Sequence, residues 1–287
     1  MLLLFSEKKM SENPLKSLYR KKSVFISLPS DGKYYKEPPK LSIDEELGVM
    51  PMTASDDIML KSPDALFNGE ALINMLHSCV PDIGDPNEIP VCDLDLILMA
   101  IKVATNGEML EIISTCPACK KEENYEISLP ALMSTSKKIS TDNIVEIEDN
   151  VKVHVRPYSL RSQIKGQVQK FHNYRMQMML NDKMPNSEKA KMFDEALIAA
   201  SAISVQIVAD NVLKVELPGE EGTVVVDNPK HIYEWVENME NKVYEKVIDR
   251  IRSLSDSNID MKINLKCPSC SNEYSNDLEL DPVSFFI

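Results

Sequence analysis

The chain has 287 residues, of which 43% are apolar and 27% are charged, and its formal net charge is -13. These proportions predict a soluble globular protein, and only 8 glycines and 6% aromatic residues disfavour a sandwich or propeller with many tight turns. The acidity disfavours nucleic acid as a partner, because phosphate backbones repel a chain that lacks a concentrated basic face. No apolar run approaches the roughly 20 residues of a membrane span, so we expect no membrane partner.

The first segment, residues 1–22, contains the one visible basic cluster. Its basic residues are Lys8, Lys9, Lys16, Arg20, Lys21 and Lys22. The opening "MLLLF" is too short for the core of a signal peptide, and the positive charges follow it instead of preceding it. We therefore expect synthesis in the cytoplasm, where structural disulfides are uncommon. The segment predicts a flexible basic arm, or else an anchor that becomes ordered on an acidic protein neighbour.

Two short strands and three helices are predicted in the next part of the chain. The strands are "SVFISL" and "LGVMPM", and the first is followed by a turn at Pro29 to Gly32. Thr53 to Asp56 has the form of a capping box and predicts a short helix. Ser62-Pro63-Asp64 predicts the start of a second helix, and "CDLDLILMAIKVATNG" predicts a third that ends at Asn106-Gly107.

The remainder of the chain alternates predicted hairpins with helices. The hairpins are "EMLEII" with "NYEISL", "IVEIED" with "VKVHVRP", and a pair that turns between Gly219 and Gly222. Apolar residues at steps of three and four predict helices from Ser159, from about Asn186, and from Asn228-Pro229 to Leu254. Together with the first three, about six helices are expected.

The cysteines carry the strongest chemical signal. Cys116 and Cys119 lie in one Cys-Pro-x-Cys motif, and Cys267 and Cys270 lie in a second motif 151 positions later. Each motif separates two apolar segments, and superposing Cys116 on Cys267 also aligns Ile112 with Ile263. A pair spaced C-x2-C supplies two corners of the tetrahedron that zinc prefers. The two hairpins are therefore predicted to meet on one zinc ion as a zinc ribbon, in which four thiolates leave no coordination position open for catalysis.

Other arrangements of these residues stay open. Two separate zinc sites would need further ligands, for which Cys79, Cys92, His77 and His154 are available, although a buried thiol is the simpler account of Cys79 and Cys92. A redox motif is disfavoured because neither cysteine pair follows a strand-to-helix pattern. Free buried thiols or an unusual disulfide remain as further alternatives.

No catalytic motif is present in the sequence. It lacks His-Glu-x-x-His, Gly-x-Ser-x-Gly, a glycine-rich phosphate loop and the His-x-Glu of zinc deaminases. The four histidines, His77, His154, His172 and His231, are scattered and have no partner groups in the sequence that would make a general base. The chain is therefore predicted not to be an enzyme.

The order of these phrases resembles a known family. "VFISLPSDGKYY", "LGVMPMTASDDIML", "SPDALFNGEALINMLHSCV", "CDLDLILMAIKVATNGEMLEI" and the first Cys-Pro-x-Cys motif follow one another as in the baseplate hub family of T-even-type contractile-tailed phages. The Leu-Pro-Ser-x-Gly phrase at Leu28 to Gly32 is its opening mark. The resemblance covers about residues 23–135 and includes the second cysteine pair, whereas residues 159–254 are matched only loosely.

The resemblance implies a non-enzymatic baseplate component that contacts other tail proteins in a hetero-oligomeric assembly. Such a protein would be present in the cytoplasm of the bacterial host during assembly and then in the baseplate of the virion tail. An assembly chaperone that does not stay in the particle is one alternative. A zinc-ribbon regulator that binds nucleic acid is another, although the acidic residues around both cysteine pairs disfavour it. The arm 1–22 and the loop 28–39 are the expected sites of contact with other proteins.

The expected architecture is an α+β fold of short antiparallel hairpins, including a discontinuous zinc ribbon, wrapped by the helices. Four parts are predicted. They are a basic arm at 1–22, a baseplate-family domain at 23–135, a mainly helical insertion at 136–258, and a final part at 259–287. Each Cys-Pro-x-Cys motif with its turn is called a zinc knuckle here: the first knuckle lies in 23–135, and the second lies in 259–287 and closes on the first.

Overall fold

The computed structural model describes residues 13–61, 69–179, 186–219, 222–256, 259–278, 280 and 285–286. Within these ranges it contains eight α-helices and ten strands, and every strand pairing is antiparallel. The prediction of an α+β fold is therefore confirmed. The number of helices exceeds the expected six because a short helix, Leu129–Met133, was not predicted and the last predicted helix is divided into two.

The first part of the chain forms two small hairpins and four helices. The elements are β1 Val24–Ile26, β2 Leu47–Val49, α1 Ala54–Leu60, α2 Glu70–Cys79, α3 Val91–Asn106, β3 Met109–Thr115, β4 Glu122–Ser128 and α4 Leu129–Met133. The strands β1 and β2 pair with each other, as do β3 and β4. The short helix α4 was not predicted; it begins directly where β4 ends, with the Ser128 hydroxyl accepting from the N–H of Ala131.

The second part contains a four-stranded sheet in the order β5-β6-β7-β8, flanked by helices, and a final hairpin. The elements are β5 Ile144–Ile147, β6 Val151–Val155, α5 Leu160–Met179, α6 Asn186–Asp210, β7 Val212–Gly219, β8 Gly222–Val226, α7 Pro229–Glu237, α8 Asn241–Ser255, β9 Lys262–Lys266 and β10 Glu273–Asp277. All three predicted hairpins are present.

The predicted helix boundaries are found where the chain is described. Thr53 caps α1 through the N–H of Asp56, and the Asp56 carboxylate accepts in return from the N–H of Thr53. Helix α3 ends at Asn106, and Gly107 follows it with a φ of +99°, a conformation that glycine adopts without steric cost. The start predicted at Ser62 to Asp64 lies outside the described residues.

Buried apolar side chains form two separate clusters. The first combines β1, β2 and the helices α2 and α3 with residues near the C-terminus, namely Ile259, Ile263, Leu265, Phe285 and Phe286. The second joins the four-stranded sheet to α7, α8 and the end of α6. The chain therefore leaves the first cluster after α4 and returns to it after α8. Between them, Leu160 at the start of α5 is the one described apolar residue that is buried in this cluster.

The last predicted helix is divided into two. Helix α7 ends at Glu237 and α8 begins at Asn241, whereas one helix from Asn228-Pro229 to Leu254 was expected. The Asn238 side-chain amide donates to the Glu234 carbonyl, which closes the end of α7. The apolar spacing continues across the break because both helices bury their apolar faces in the same cluster, so periodicity alone did not reveal it.

Helix α6 corrects the expectation that no apolar stretch reaches the length of a membrane span. Its segment from Lys191 to Asp210 has the length and apolar composition to cross a membrane, and only 11% of the window is buried in the structure. Lys191, Asp194 and Glu195 interrupt this segment with charges, but they do not lower its mean hydropathy enough to exclude a membrane span. Length and composition by themselves are weak evidence of a span.

The end of the predicted basic arm is attached to the protein. The Arg20 guanidinium donates to the Ser78 carbonyl at 2.7 Å, to the Ser78 hydroxyl at 2.6 Å and to the Pro51 carbonyl, and it lies 3.5 Å from the buried Asp56 carboxylate. Lys22 forms an ion pair with Asp82. Residues 1–12 lie outside the described part of the chain.

Replacing Arg20 with alanine is expected to lower the free energy of unfolding by about 2 to 3 kcal/mol, because the buried Asp56 carboxylate loses its cation and Ser78 loses two hydrogen bonds. Lysine at this position is expected to recover little, since one ammonium cannot reach carbonyl and carboxylate partners in the manner of a planar guanidinium. Urea denaturation measures the change, with the neighbouring exposed Lys21→Ala as the control. Equal effects of Arg20→Ala and Lys21→Ala would contradict this account.

Candidate metal centre

The two cysteine motifs occur at the turns of two hairpins that have the same register. Thr115 pairs with Glu122 in the first hairpin, and Lys266 pairs with Glu273 in the second. Each pair consists of the residue before the first cysteine and the residue six positions after that cysteine. The alignment of the two halves in the sequence therefore corresponds to the same strand pairing in the structure.

The turns themselves also repeat one hydrogen-bonding pattern. The N–H of Cys116 donates to the Lys121 carbonyl, and the N–H of Lys120 donates to the Cys116 carbonyl, both at 2.9 Å. In the second hairpin, Cys267 N–H donates to the Asn272 carbonyl at 2.9 Å, and Ser271 N–H donates to the Cys267 carbonyl at 2.8 Å. This turn directs both sulfurs of each motif to the same side.

The four sulfurs converge at one point. All four Sγ atoms lie within 4.8 Å of one another, and the distances Cys116–Cys270 and Cys119–Cys267 are both 3.7 Å. A disulfide requires about 2.05 Å, so these two pairs are not bonded. Zinc–sulfur bonds of about 2.3 Å in a tetrahedron separate the sulfurs by about 3.8 Å. The spacing therefore fits four thiolates around one metal ion.

The electrostatics of the cluster also indicate a need for a cation. The backbone N–H groups of Cys119 and Ala118 donate to the sulfur of Cys116 and, with the Cys270 thiol, lower the pKa of Cys116 to about 6. The N–H of Asn272 likewise favours the thiolate of Cys270, but desolvation and the three nearby sulfurs outweigh it and raise the pKa of Cys270 to about 12. One thiolate forms readily, whereas four together need a positive ion.

The hairpins contact each other beyond the cysteines. The Tyr274 hydroxyl donates to the Ser114 hydroxyl at 3.1 Å and lies 3.3 Å from the Tyr125 hydroxyl. At the tip, the Ser269 hydroxyl donates to the Glu123 carboxylate at 2.6 Å. These contacts hold the two halves in register. The Ser and Tyr residues among them were not singled out from the sequence, because isolated Ser and Tyr residues carry no spacing signal.

The alternative ligands lie elsewhere. Cys79 and Cys92 are buried, Cys79 with its sulfur 3.6 Å from Arg20 Nη1 and Cys92 within α3. His154 is on β6, where its Nε2 lies 3.1 Å from Glu216 Oε1. His77 is exposed near the end of α2. Among the described residues, the four-cysteine group is the one cluster with metal-ligand geometry.

The turn conformation makes a prediction about Lys120 and Ser271. Both residues have positive φ, +61° and +60°, at equivalent positions directly after the second cysteine of each motif. Valine at either position is expected to lower the free energy of unfolding by about 1 to 3 kcal/mol, because a β-branched side chain clashes in this conformation. Glycine is expected to be neutral or slightly stabilising. Thermal unfolding of both pairs of variants tests this, and a valine variant as stable as the glycine variant would contradict it.

A groove of about 500 Å³ lies beside β1 and is lined by Phe25, Leu96, Val103, Met133 and Lys137 among others. None of its lining residues is a histidine or a cysteine. The groove therefore adds no partner groups to the metal cluster.

Residues 21–287 match the family described as T4 bacteriophage base plate protein. A search of curated proteins and a search of solved structures gave no match. The matched range includes both cysteine motifs and both buried clusters. The description of the family names the baseplate and does not specify the hub. The chain belongs to the family of T4 bacteriophage base plate proteins.

Proposed function

We propose that the chain is a non-enzymatic structural subunit of the tail baseplate, in the hub region, and that one structural zinc ion holds its two ends together. The family match supports the baseplate part of this proposal. The zinc part is carried by the convergence of Cys116 and Cys119 with Cys267 and Cys270 into a group that could occupy all four positions of a tetrahedral ion. A metal site without an open position binds neither water nor substrate, so its role is structural.

Zinc is favoured by the donor set. Tetrahedral coordination by four thiolates suits zinc or iron, whereas magnesium, calcium and manganese prefer oxygen ligands. Zinc does not change its oxidation state, so it maintains one geometry through assembly and through any redox change in the host cytoplasm. Iron would give a coloured protein, which distinguishes the two ions directly.

The surface near the metal suits protein neighbours better than nucleic acid. Lys266 is paired with Glu273, and Lys121 lies 3.4 Å from Ser269 in the opposite knuckle. The exposed positions of β4 and β10 carry Glu122, Glu126, Glu273 and Asp277. Phosphate groups would be repelled from this face, whereas a basic protein surface would be attracted to it.

Burial reduces the number of residues in the two predicted contact segments that could bind a partner. Leu28 and Ser30 are buried in the first cluster and beside α3, so the inner half of the loop 28–39 is committed to the fold. Lys33, Lys36 and Glu37 are exposed and remain available to partners. In the arm, the exposed Leu15, Leu18 and Tyr19 remain available, whereas Arg20 does not.

The proposed domain organisation is an insertion between the two halves of one domain. We assign residues 23–135 and 259–287 to the metal-containing domain and residues 136–258 to the insertion. The two buried clusters follow these boundaries except at the start of α5, where Leu160 is buried in the first cluster. Two bodies joined through such an insertion suit a subunit that bridges neighbours in an assembly.

The functional test is the location of the chain in the particle. Mass spectrometry of purified virions, followed by cryo-electron microscopy of the baseplate, is expected to find the chain as a stoichiometric component of the tail. Its presence in infected cells but not in virions would identify an assembly chaperone instead. Salt-dependent binding of the purified chain to DNA or RNA in fluorescence anisotropy would favour the regulator.

A further inference from the structure

Strand β8 forms an open edge of the four-stranded sheet. The strand order is β5-β6-β7-β8, so among the described residues β8 pairs with β7 on one side and with no strand on the other. Val224 is 50% exposed and Val225 is 52% exposed, although valine is one of the residues most often buried. Gly222 and Thr223 are also exposed, so the edge is accessible over most of the strand.

The outward main-chain groups of this edge are assigned from Pro218. This proline lies opposite Thr223 in the register of β7 and β8. Antiparallel strands alternate between residue pairs that exchange two main-chain hydrogen bonds and pairs that exchange none, and proline has no N–H to exchange. Thr223 and, two residues later, Val225 therefore direct their N–H and carbonyl groups away from β7. Both residues thus offer a donor and an acceptor to a further strand.

Charged residues protect the opposite edge of the sheet but not β8. Natural proteins place charged side chains on exposed edge strands, which prevents these strands from pairing with other chains. The opposite edge strand β5 contains Glu146 and packs against α8. Of the described strands with four or more residues, β8 is the one without a charged residue. An uncharged, β-branched edge is suited to the addition of a strand from a partner.

Acidic residues flank both ends of β8. Glu220 and Glu221 come directly before the strand in the sequence, and Asp227 comes directly after it. Two copies of β8 that paired antiparallel around Val224 would set Glu221 of one copy opposite Asp227 of the other at both ends. Like charges in opposite positions destabilise a ladder, so the flanking charge disfavours a second copy and favours a basic partner.

The other charges near the strand do not reverse this balance. Across the ladder Val225 lies opposite Glu216, whose carboxylate is 2.6 Å from Lys214 Nζ and 3.1 Å from His154 Nε2. After the strand, the next basic residue in the sequence is Lys230 in the first turn of α7. The three acidic residues that flank the strand outnumber this lysine.

We propose that β8 binds an extended segment of another protein, which adds a further strand to the sheet and carries basic residues on both sides of a β-branched centre. The main-chain groups of Thr223 and Val225 bond to this segment, and the flanking acids attract its basic ends. The inference extends the proposed structural role by naming a surface and the chemistry of its partner. It involves neither the zinc ion nor the location in the virion, so its failure would leave the proposed function in place.

The test is fluorescence anisotropy of the full chain with a labelled synthetic peptide in which valine and threonine alternate between two lysines at each end. We expect this peptide to bind. The same peptide with glutamates in place of the lysines is expected to bind at least about tenfold more weakly, because its ends are repelled. Backbone N-methylation along the peptide edge that faces β8 is expected to abolish binding, since it removes the donors of the ladder.

Two variants at one position locate the interaction on β8. Val225→Pro removes an N–H that faces away from β7, so it should retain the pairing with β7 and weaken peptide binding at least about tenfold. Val225→Thr retains the N–H and the β-branched shape and should bind as the wild type does. Circular dichroism verifies that both variants are folded. If Val225→Pro is unfolded, the N-methylated peptide still tests the ladder on the wild-type chain.

A wild-type chain that does not bind the lysine-flanked peptide would overturn the proposal. So would equal binding of the glutamate-flanked or the N-methylated peptide, or equal binding by Val225→Pro and Val225→Thr. Sedimentation velocity provides the other arm. A dimer that Val225→Pro abolishes, in a chain that does not bind the peptide, would assign the edge to a second copy instead.

Discussion

Replacing Cys267 and Cys270 together with serine is expected to remove the metal ion and to unfold the part of the protein around the first cluster. Structural zinc contributes on the order of 10 kcal/mol to folding. A domain of ordinary stability has only about 5 to 15 kcal/mol in total. The loss therefore approaches or exceeds the whole stability of that domain.

The position of the link in the chain increases this effect. Cys119 and Cys267 are separated by 148 residues, so the ion closes a very long loop. Without the ion, the second hairpin keeps Ile263, Leu265 and the Tyr274 contacts, but it loses the constraint that returns it to the first hairpin. Closing a long loop by weak contacts alone costs chain entropy that the metal link otherwise offsets.

Metal content and unfolding are measured on the same samples. Inductively coupled plasma mass spectrometry is expected to find one zinc ion per wild-type chain and none in the double variant. The matched control is Cys79→Ala with Cys92→Ala, which removes two buried cysteines outside the cluster and should leave the zinc content unchanged. Zinc retained after the loss of Cys267 and Cys270 would show that the first knuckle binds on its own. A wild-type chain without metal would undo the proposal.

The second large effect is expected at Asp93, in the first turn of α3. Its carboxylate is fully buried and accepts from the N–H of Ser30 and the hydroxyl of Tyr35, both at 2.8 Å, and from the hydroxyl of Ser30. These bonds fasten the loop that carries the Leu-Pro-Ser phrase to the apolar helix. Asp93→Ala leaves the donors without a partner and is expected to cost about 2 to 4 kcal/mol of unfolding free energy.

The same carboxylate makes stability depend on pH. Burial raises the pKa of Asp93 from 3.8 to about 6, although the donors from Ser30 and Tyr35 act in the opposite direction. The folded state therefore holds this proton more tightly than the unfolded state, so the contribution of Asp93 to stability declines as pH rises from about 4 to about 6. Linkage converts this shift into about 3 kcal/mol between acidic and neutral pH.

Two variants isolate this contribution. In Asp93→Asn the decline with pH should be absent, so wild type loses about 2.5 kcal/mol relative to the variant between pH 4 and pH 7. In Tyr35→Phe one donor that lowers the pKa of the carboxyl group is lost, so the decline should become larger and extend to higher pH. Urea denaturation across this pH range measures both, and parallel curves for wild type and Asp93→Asn would contradict the assignment.

Local signals in the sequence were sufficient where one short segment determines the structure. The spacing of the cysteines predicted both knuckles, and the capping box at Thr53 to Asp56 predicted the start of α1, because these features depend on neighbouring residues only. The hairpins followed from alternation of apolar residues between turn residues. The break between α7 and α8 was missed because the apolar spacing is the same in one helix and in two helices on one cluster.

The groups with the largest expected effects on stability, apart from the cysteines, could not be found in this way. Arg20 was interpreted as part of a flexible basic arm or of an anchor for a protein neighbour, and Asp93 was not singled out. Their partners, Ser78 for Arg20 and Ser30 and Tyr35 for Asp93, lie more than 50 residues away in the chain. A buried polar group is stable only with its partner, and no local pattern identifies a partner at that distance.

By itself the sequence determined the α+β class, the two knuckles and the family resemblance, since all three depend on short motifs and on the order of those motifs. Only the tertiary structure identified the distant partners of Asp93 and Arg20, and only it placed the four sulfurs, which the sequence had predicted to meet, within 4.8 Å of one another. Each of these depends on which distant surfaces are in contact. Which side chains are buried and desolvated depends on the tertiary contacts of the whole folded chain, so it is determined only once the chain has folded.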